Sequence, residues 1–171
     1  VEGVNVGDRV IVSPGLGAYA TQVLARPHQA VAVPDSMSFE VAAGFLQAYG
    51  TAWFGFTRRL HLRDGETVLV TGASGGVGRA AVDLASAMGA VVIAAASSEE
   101  RLDEARAAGA AHTVNYATAD LTAEVKALVP GGVDVVYDPV GGDIGWNSYR
   151  TLGALGRYGI VGFVGGIGSL P

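Results

Sequence analysis

The chain has 171 residues, half of them apolar, and a chain of this length buries about 70% of its unfolded surface, enough for one solid core. With 16% charged residues and a net charge of −5, the composition excludes a disordered chain and argues against a nucleic-acid-binding face. The absence of cysteine excludes disulfides, thiolate metal sites and cysteine nucleophiles, and it favours a cytoplasmic location.

The beginning of the chain contains short strand-like stretches between glycine and proline turns. Three strands are predicted there, at residues 10–12, 18–25 and 29–33. They indicate part of an all-β subdomain over residues 1–34. After this subdomain Ser38 is a plausible helix cap, and helical stretches are predicted at 41–45 and 47–60. No apolar run reaches the roughly 18 residues of a membrane span, so we expect none.

The central stretch, residues 67–78, reads TVLVTGASGGVG and is followed by apolar residues at helical spacing. This pattern predicts a buried strand, a tight turn and a helix whose first N–H groups point outward, ready for a phosphate. Gly75 and Gly76 lack the Cβ that would keep a pyrophosphate away, and Gly78 sits where helix and strand must lie close. The usual pattern is G-x-G-x-x-G, and its first glycine is Ala73 here, but the strand before and the helix after meet its requirement.

A rival interpretation makes Ser74 the nucleophile of an α/β-hydrolase, because residues 72–76 also fit G-x-S-x-G. That fold needs an acid and then a histidine later in the chain. The only histidine after Ser74 is His112, and acids before it, such as Asp103, lie in an amphipathic helix only a few residues away. No histidine follows Asp138. We therefore reject the hydrolase interpretation.

Strands and helices alternate from the central motif to the end of the sequence. Strands are predicted at residues 67–71, 91–96, 112–116, 133–137 and 157–164, and helices at 98–108, 121–128 and 144–152. The alternation predicts an α/β fold, a Rossmann-type doubly wound parallel sheet over residues 35–171. The strands that begin at Thr67 and Val133 should be neighbours, because the strand order reverses there.

The doubly wound fold has six strands, whereas five are predicted here. The sequence begins without methionine and stops soon after a hydrophobic strand. We therefore expect it to be part of a longer chain in which the sixth strand follows. We also expect the 171-residue piece made alone to aggregate or fold poorly, because unpaired strands and apolar side chains would be exposed.

The end of the second strand of this sheet distinguishes NADH from NADPH. An acidic residue there binds the ribose 2′-OH and repels a 2′-phosphate, but Ala96 occupies this place. Ser97 and Ser98 offer hydroxyls at a helix N-terminus, and Arg101 lies one turn inside that helix. This combination fits a phosphate monoester, so NADPH is favoured over NADH.

An alternative for the same stretch needs no ligand. Residues 97–100 have the S-x-x-E form of a capping box, which would explain Ser97 by itself. Glu99 and Glu100 also place negative charge nearby.

Six motifs follow one another at family-like intervals across nearly the whole chain. They are Gly7-Asp-Arg-Val10, Tyr49-Gly-Thr-Ala-Trp53, Gly72-Ala-Ser-Gly-Gly-Val-Gly78, Gly109-Ala110 with Asn115-Tyr116, Asp138-Pro-Val-Gly141 and Gly162-Phe163. Together they make the chain similar to the zinc-independent, ζ-crystallin-like NADPH:quinone oxidoreductases of the medium-chain dehydrogenase/reductase superfamily. The resemblance implies that residues 1–34 end a GroES-like catalytic subdomain and that the protein is a homodimer.

The resemblance also implies which residues bind NADPH. The pyrophosphate would lie at the glycine turn, the 2′-phosphate at Arg101 and Tyr116, and the nicotinamide by Thr51, Val140 and Phe163. The complete predicted set is Thr51, Ser74, Gly75, Gly76, Val77, Ser97, Ser98, Arg101, Tyr116, Val140 and Phe163. Structural alternatives stay open: Thr51 as a helix-packing residue, Tyr116 as a strand-end aromatic and Arg101 as a solvated charge. Phe163 is expected in the core under either interpretation.

The activity that the resemblance implies is hydride transfer from NADPH to a quinone or another α,β-unsaturated carbonyl. The three histidines are scattered, so no metal site is predicted, and no residue is a convincing general acid. Two alternatives remain: an enoyl-thioester reductase of the same superfamily, and a nucleotide-binding module without activity.

Overall fold

Two compact units make up the chain, and they divide between Leu46 and Gln47. The computed structural model describes residues 3–167. None of the helices in this range has the length and apolarity needed to cross a bilayer.

A two-stranded antiparallel sheet forms the first unit. Strand β1 (Val10–Val12) pairs with β2 (Ala30–Ala32), and a short 3₁₀ turn, Pro27–Gln29, precedes β2. The third strand, predicted at 18–25, is wrong: these residues are exposed and form only bends and irregular chain. A strand needs a partner for its backbone groups, and no described segment pairs with this one.

Helix α1 (Phe39–Phe54) is one continuous helix, so the prediction of two separate stretches at 41–45 and 47–60 is wrong. Ser38 begins it as predicted, because its Oγ accepts a hydrogen bond from the N–H of Val41 at 3.3 Å. No proline interrupts the stretch, and α1 gives way only to a π-helical turn, Gly55–Arg59.

Five parallel strands form the sheet of the second unit, in the order β5-β4-β3-β6-β7. They are β3 (Thr67–Val70), β4 (Val91–Ala96), β5 (His112–Asn115), β6 (Val133–Asp138) and β7 (Leu152–Ile160). The connecting helices are α2 (Gly76–Ala87), α3 (Glu99–Ala107), α4 (Leu121–Leu128) and α5 (Gly142–Tyr149). Strands β3 and β6 are neighbours, which confirms both the predicted switch point and the Rossmann-type fold.

Alternate residues of β3 enter two different core clusters. Val68 and Val70 pack with Ala81 and other residues of α2, whereas Leu69 packs with Leu121 of α4. Successive side chains of a strand point to opposite faces, so helices cover both faces of the sheet. Such a sheet leaves the carboxyl ends of its strands as the open edge where a ligand can bind.

The last strand differs from its predicted bounds of 157–164. Strand β7 begins earlier, because Leu152 already pairs with Val133, and it ends at Ile160. Beyond that point the N–H groups of Val161 and Gly162 bond to the carbonyl oxygen of Asp138, which turns the chain away from the sheet. The preceding helix, predicted at 144–152, accordingly ends at Tyr149.

A salt bridge joins the amino end of β3 to β7. Arg157 donates from Nη1 to Oε1 of Glu66 at 3.0 Å and from Nη2 to Oε2 at 2.5 Å. The two side chains are only 31% and 16% exposed. The hydrogen bonds from Arg157 hold the pKa of Glu66 below its ordinary value of 4.5.

Because the pKa of Glu66 is lowered by folding, its contribution to stability is complete above the unfolded-state pKa and is lost as the pH falls through the folded-state pKa. We expect Glu66→Gln to lower the free energy of unfolding at pH 7 by roughly 1–2 kcal/mol, with the difference shrinking below about pH 4. Urea unfolding of the wild type and the variant, at pH 7 and again below about pH 4, measures this difference in the free energy of unfolding. The exposed Glu124→Gln on α4 is the control, and a loss of equal size at both pH values would contradict the assignment.

Candidate functional site

A cleft of about 770 Å³ opens at the carboxyl ends of the parallel strands, around the N-terminus of α2. Nine of the eleven predicted cofactor residues line it: Thr51, Ser74, Gly75, Gly76, Val77, Arg101, Tyr116, Val140 and Phe163. The other two, Ser97 and Ser98, lie just before α3 and outside the lining. The volume falls within the range of small-molecule sites, roughly 300–1,000 Å³.

The glycine turn brings α2 close against the end of β3. A Cβ on Gly78 would lie 2.2 Å from the carbonyl oxygen of Gly72, so this position excludes any side chain, as the sequence predicts. A Cβ on Gly76 would instead meet no protein atom within 4 Å. Packing within the protein therefore does not require glycine at position 76, and the space beside it is free for a ligand that approaches the backbone.

The first turn of α2 has no internal partner for its amides. Gly75 is the N-cap residue and no side chain caps the helix. Its own N–H bonds to the carbonyl oxygen of Gly72 at 3.0 Å, but the N–H groups of Gly76 and Val77 cannot find acceptors inside the helix. These amides and the positive end of the helix dipole fit a pyrophosphate.

Ser74 lies in the cleft without the partners of a nucleophile. No histidine is among the residues that line the cleft in the described part of the chain. The rejection of the hydrolase interpretation therefore agrees with the geometry.

The cap of α3 is Ser98 and not Ser97, so the capping-box alternative for Ser97 is wrong. Ser98 Oγ accepts from the N–H of Arg101 at 3.4 Å, which places the helix start one residue later than the S-x-x-E pattern suggests. Ser97 Oγ instead accepts from Nη1 of Arg101 at 3.0 Å. Ser97 thus holds the Arg101 guanidinium, which lines the cleft, although Ser97 itself does not line the cleft. Ala96 is buried.

The acidic residues near Arg101 are mostly engaged elsewhere. Glu99 accepts from Arg106 at 3.5 Å and from Asn115 Nδ2 at 3.2 Å. Arg106 also binds Asp103 at 2.6 Å. Within residues 3–167 no carboxylate forms a salt bridge with Arg101, so its guanidinium is available to an anion. Glu104 is the one carboxylate in the lining of the cleft that the described residues supply.

The opposite end of the cleft is apolar. Thr51 also lines the cleft, but its hydroxyl donates to the carbonyl oxygen of Gln47 at 2.5 Å, one turn back in α1. Val140 lies in the loop after β6, and Phe163 lies in the loop after β7. Phe163 is 58% exposed, so the expectation of a core residue is wrong, because β7 ends before it and the loop carries it to the cleft.

Three polar residues at the strand ends were not predicted to contribute to the site. Asp138 is 1% exposed, and its carboxylate accepts from the hydroxyl of Thr71 and, at 2.5 Å, from that of Tyr158. Burial, and then the hydrogen bond to Asp138, raise the pKa of Tyr158. The motif Asp138–Gly141 was the only signal in the sequence, because the partners of Asp138 lie far away along the chain.

Comparison with known proteins decides the family. The zinc-binding dehydrogenase family model matches residues 76–170, more than half of the chain. The solved structure of Escherichia coli quinone oxidoreductase complexed with NADPH has a TM-score of 0.93 and 30% identity, over 100% of this chain and 53% of that one. The chain belongs to the zinc-independent quinone-oxidoreductase branch of the medium-chain dehydrogenase/reductase superfamily.

Other quinone-oxidoreductase relatives agree with this placement. Quinone oxidoreductase-like protein 2 from Bos taurus is 42% identical, over 100% of this chain and 50% of that protein. The quinone oxidoreductase of Pseudomonas syringae pv. Tomato DC3000 has a TM-score of 0.89 and 33% identity, over 97% of this chain and 52% of that one. The chain thus spans about half the length of the quinone-oxidoreductase relatives it matches. Within residues 3–167 of this quinone-oxidoreductase-type chain, no three His, Asp or Glu side chains come together as a metal site would require.

Proposed function

We propose that this protein is an NADPH-dependent oxidoreductase that reduces a quinone or another α,β-unsaturated carbonyl without zinc. The observation that carries the proposal is the arrangement around the N-terminus of α2. Unpartnered amides face a cleft that has a guanidinium at one end and an apolar wall at the other. The family placement and the solved NADPH complex of the E. coli relative support it.

The cleft residues fit NADPH from end to end. We propose that the amides of Gly76 and Val77, next to Ser74 and Gly75, hold the pyrophosphate, because nothing in the protein occupies the space beside Gly76. Arg101, which donates to Ser97, and Tyr116 both line the cleft at the ends of β4 and β5 and fit the 2′-phosphate. Thr51, Val140 and Phe163 would surround the nicotinamide. Ser98 contributes indirectly, as the cap that fixes the helix of Arg101.

Bound NADPH would supply the hydride, and the residues of the cleft would orient the acceptor over the nicotinamide. At the apolar end of the cleft, the described lining contains no histidine, lysine or carboxylate that could act as a general acid. The Thr51 hydroxyl is already donated to Gln47. Polarisation of the acceptor carbonyl must therefore come from water or from other hydrogen-bond donors, and much of the rate from positioning over the nicotinamide.

The broader organisation of the protein is part of the same proposal. We propose that residues 1–34 belong to a GroES-like catalytic subdomain and residues 35–171 to the NADPH-binding domain. The resemblance further supports a homodimer with a small-molecule substrate. The net charge of −5 supports the proposal that no nucleic acid binds, and the absence of cysteine supports a cytoplasmic location.

Turnover with a series of acceptors tests the function. We expect the purified protein to oxidise NADPH, followed by nicotinamide absorbance, with 1,4-benzoquinone or a simple enone, and to use NADH less well. Turnover only with an enoyl thioester would replace the proposal by a thioester reductase. Tight NADPH binding without turnover of any acceptor would mean a nucleotide-binding module.

A further inference from the structure

A single buried carboxylate joins the ends of three neighbouring strands beneath the apolar end of the cleft. Asp138, the last residue of β6, is 1% exposed, and its carboxylate accepts from four donors. One donor is the hydroxyl of Thr71, the residue that follows β3, and another is the hydroxyl of Tyr158 on β7 at 2.5 Å. β3, β6 and β7 are adjacent in the sheet, so the contacts cross-link its open edge.

The other two donors belong to the loop after β6, which together with the loop after β7 forms the apolar wall of the cleft. The N–H of Val140 donates to Oδ1 of Asp138 at 2.9 Å, and the N–H of Gly141 lies 3.1 Å from both carboxylate oxygens. Val140 lines the cleft directly. The carboxylate therefore fixes the backbone of the first loop of the wall.

The second loop of the wall is attached to the backbone of the same residue. The N–H groups of Val161 and Gly162 bond to the carbonyl oxygen of Asp138 at 2.8 and 3.3 Å. The N–H of Gly165 then bonds to the carbonyl oxygen of Val140 at 2.7 Å, which joins the two loops. Phe163 lies in the sequence between Gly162 and Gly165, the two residues whose N–H groups make these hydrogen bonds.

Helix α5 closes the carboxylate off from water on another side. A Cβ on Gly145 would lie 2.6 Å from Oδ2 of Asp138 and 3.1 Å from the Tyr158 hydroxyl. A buried charge is costly unless it is fully hydrogen-bonded, and an apolar group of similar shape often stabilises a fold as well or better. Stability alone therefore gives no reason for a carboxylate here, whereas a fixed loop geometry does.

The location of the wall indicates which part of the cofactor it meets. A dinucleotide lies across the switch point between β3 and β6, with its pyrophosphate at the helix N-terminus. Arg101 and Tyr116 follow β4 and β5, on one side of that point. Val140 and Phe163 follow β6 and β7, on the other side, so the nicotinamide half faces them.

We propose that Asp138 is a positioning residue, oriented by Thr71 and Tyr158, that holds the Val140 and Phe163 loops as a rigid wall for the nicotinamide half of NADPH. The inference rests on the proposed function. Asp138, Thr71 and Tyr158 would thus orient the nicotinamide half of the cofactor without affecting the binding of its adenosine half.

Two variants that each remove one hydroxyl donor, together with one conservative control, test the proposal. Thr71→Val keeps the shape of the side chain but removes the hydroxyl, whereas Thr71→Ser retains it; Tyr158→Phe removes the other hydroxyl donor. Dissociation constants are measured for NADPH and for adenosine 2′,5′-bisphosphate, which carries only the adenosine end and the 2′-phosphate. Thr71→Val and Tyr158→Phe should weaken NADPH binding by about three- to tenfold. Both variants should leave bisphosphate binding within about twofold, and Thr71→Ser should resemble the wild type.

Turnover gives a second readout on the same proteins. At saturating NADPH, the Thr71→Val and Tyr158→Phe variants should reduce the quinone about tenfold more slowly or worse, because a small displacement of the nicotinamide costs rate. Equal losses for NADPH and the bisphosphate would overturn the inference, since they would indicate a general defect of the fold. Unchanged NADPH binding and turnover in both variants would overturn it as well. If the wild type binds NADPH no more tightly than the bisphosphate, the nicotinamide half adds no affinity, and the inference alone is overturned. If the wild type binds neither ligand, the proposed function is overturned together with the inference.

Discussion

Replacing Arg101 by alanine should weaken NADPH binding by about 10- to 100-fold and leave NADH binding almost unchanged. A hydrogen bond between charged groups contributes roughly 1.5–3 kcal/mol, and NADH lacks the 2′-phosphate that would receive it. The guanidinium lines the cleft and is held by Ser97, with no salt bridge to a carboxylate in residues 3–167. Fluorescence titration of the wild type and the variant with both cofactors measures the four dissociation constants.

Arg106 on the same helix is the matched control. Its guanidinium is engaged by Glu99, Asp103 and Thr113, so Arg106→Ala should alter binding of the two cofactors by no more than about fivefold. Equal losses of NADPH and NADH in Arg101→Ala would mean that the residue supports the fold and does not select the cofactor.

Two glycines of the same turn should respond in opposite ways to alanine. Gly78→Ala should destabilise the protein by about 1–3 kcal/mol or more, because its Cβ would lie 2.2 Å from a backbone oxygen that cannot move aside. Gly76→Ala should leave the stability unchanged or slightly raised, because its Cβ meets no protein atom within 4 Å. The Gly76 methyl should nevertheless weaken NADPH binding by about tenfold, since it enters the approach to the amides.

Urea unfolding and NADPH titration of both variants separate these effects. A Gly76→Ala protein that binds NADPH like the wild type would mean that the pyrophosphate does not approach this backbone. A Gly78→Ala protein of normal stability would mean that α2 does not lie as close to the end of β3 as the geometry indicates.

The sheet could be predicted because its strands carry their own signal. Residues 68–70, 92–96 and 135–137 are apolar runs buried on both faces, as strands between two helical layers must be. The stretch 18–25 has a similar composition but finds no partner strand, and pairing cannot be inferred from local sequence. The bounds of β7 were wrong for a related reason, because they depend on pairing with Val133 and on the turn back to Asp138.

The part of the site formed by neighbouring residues could also be predicted. The glycine turn and the first turn of α3 each lie within a few residues, so spacing alone brings Gly76 and Arg101 to the cleft. The choice between Ser97 and Ser98 as the cap depends on backbone geometry, which the S-x-x-E pattern does not determine. Asp138 and Thr71 are 67 residues apart, and only the sheet order brings them together.

The most direct test of the central claim is a crystal structure of the protein with NADPH. We expect the pyrophosphate oxygens about 3 Å from the amide nitrogens of Gly76 and Val77, and the 2′-phosphate at a similar distance from the Arg101 guanidinium. The nicotinamide ring should lie against Val140 and Phe163. Density for NADPH away from the N-terminus of α2 would contradict the proposed binding mode. A 2′-phosphate directed into solvent, with the Arg101 guanidinium in contact only with Ser97, would contradict it as well.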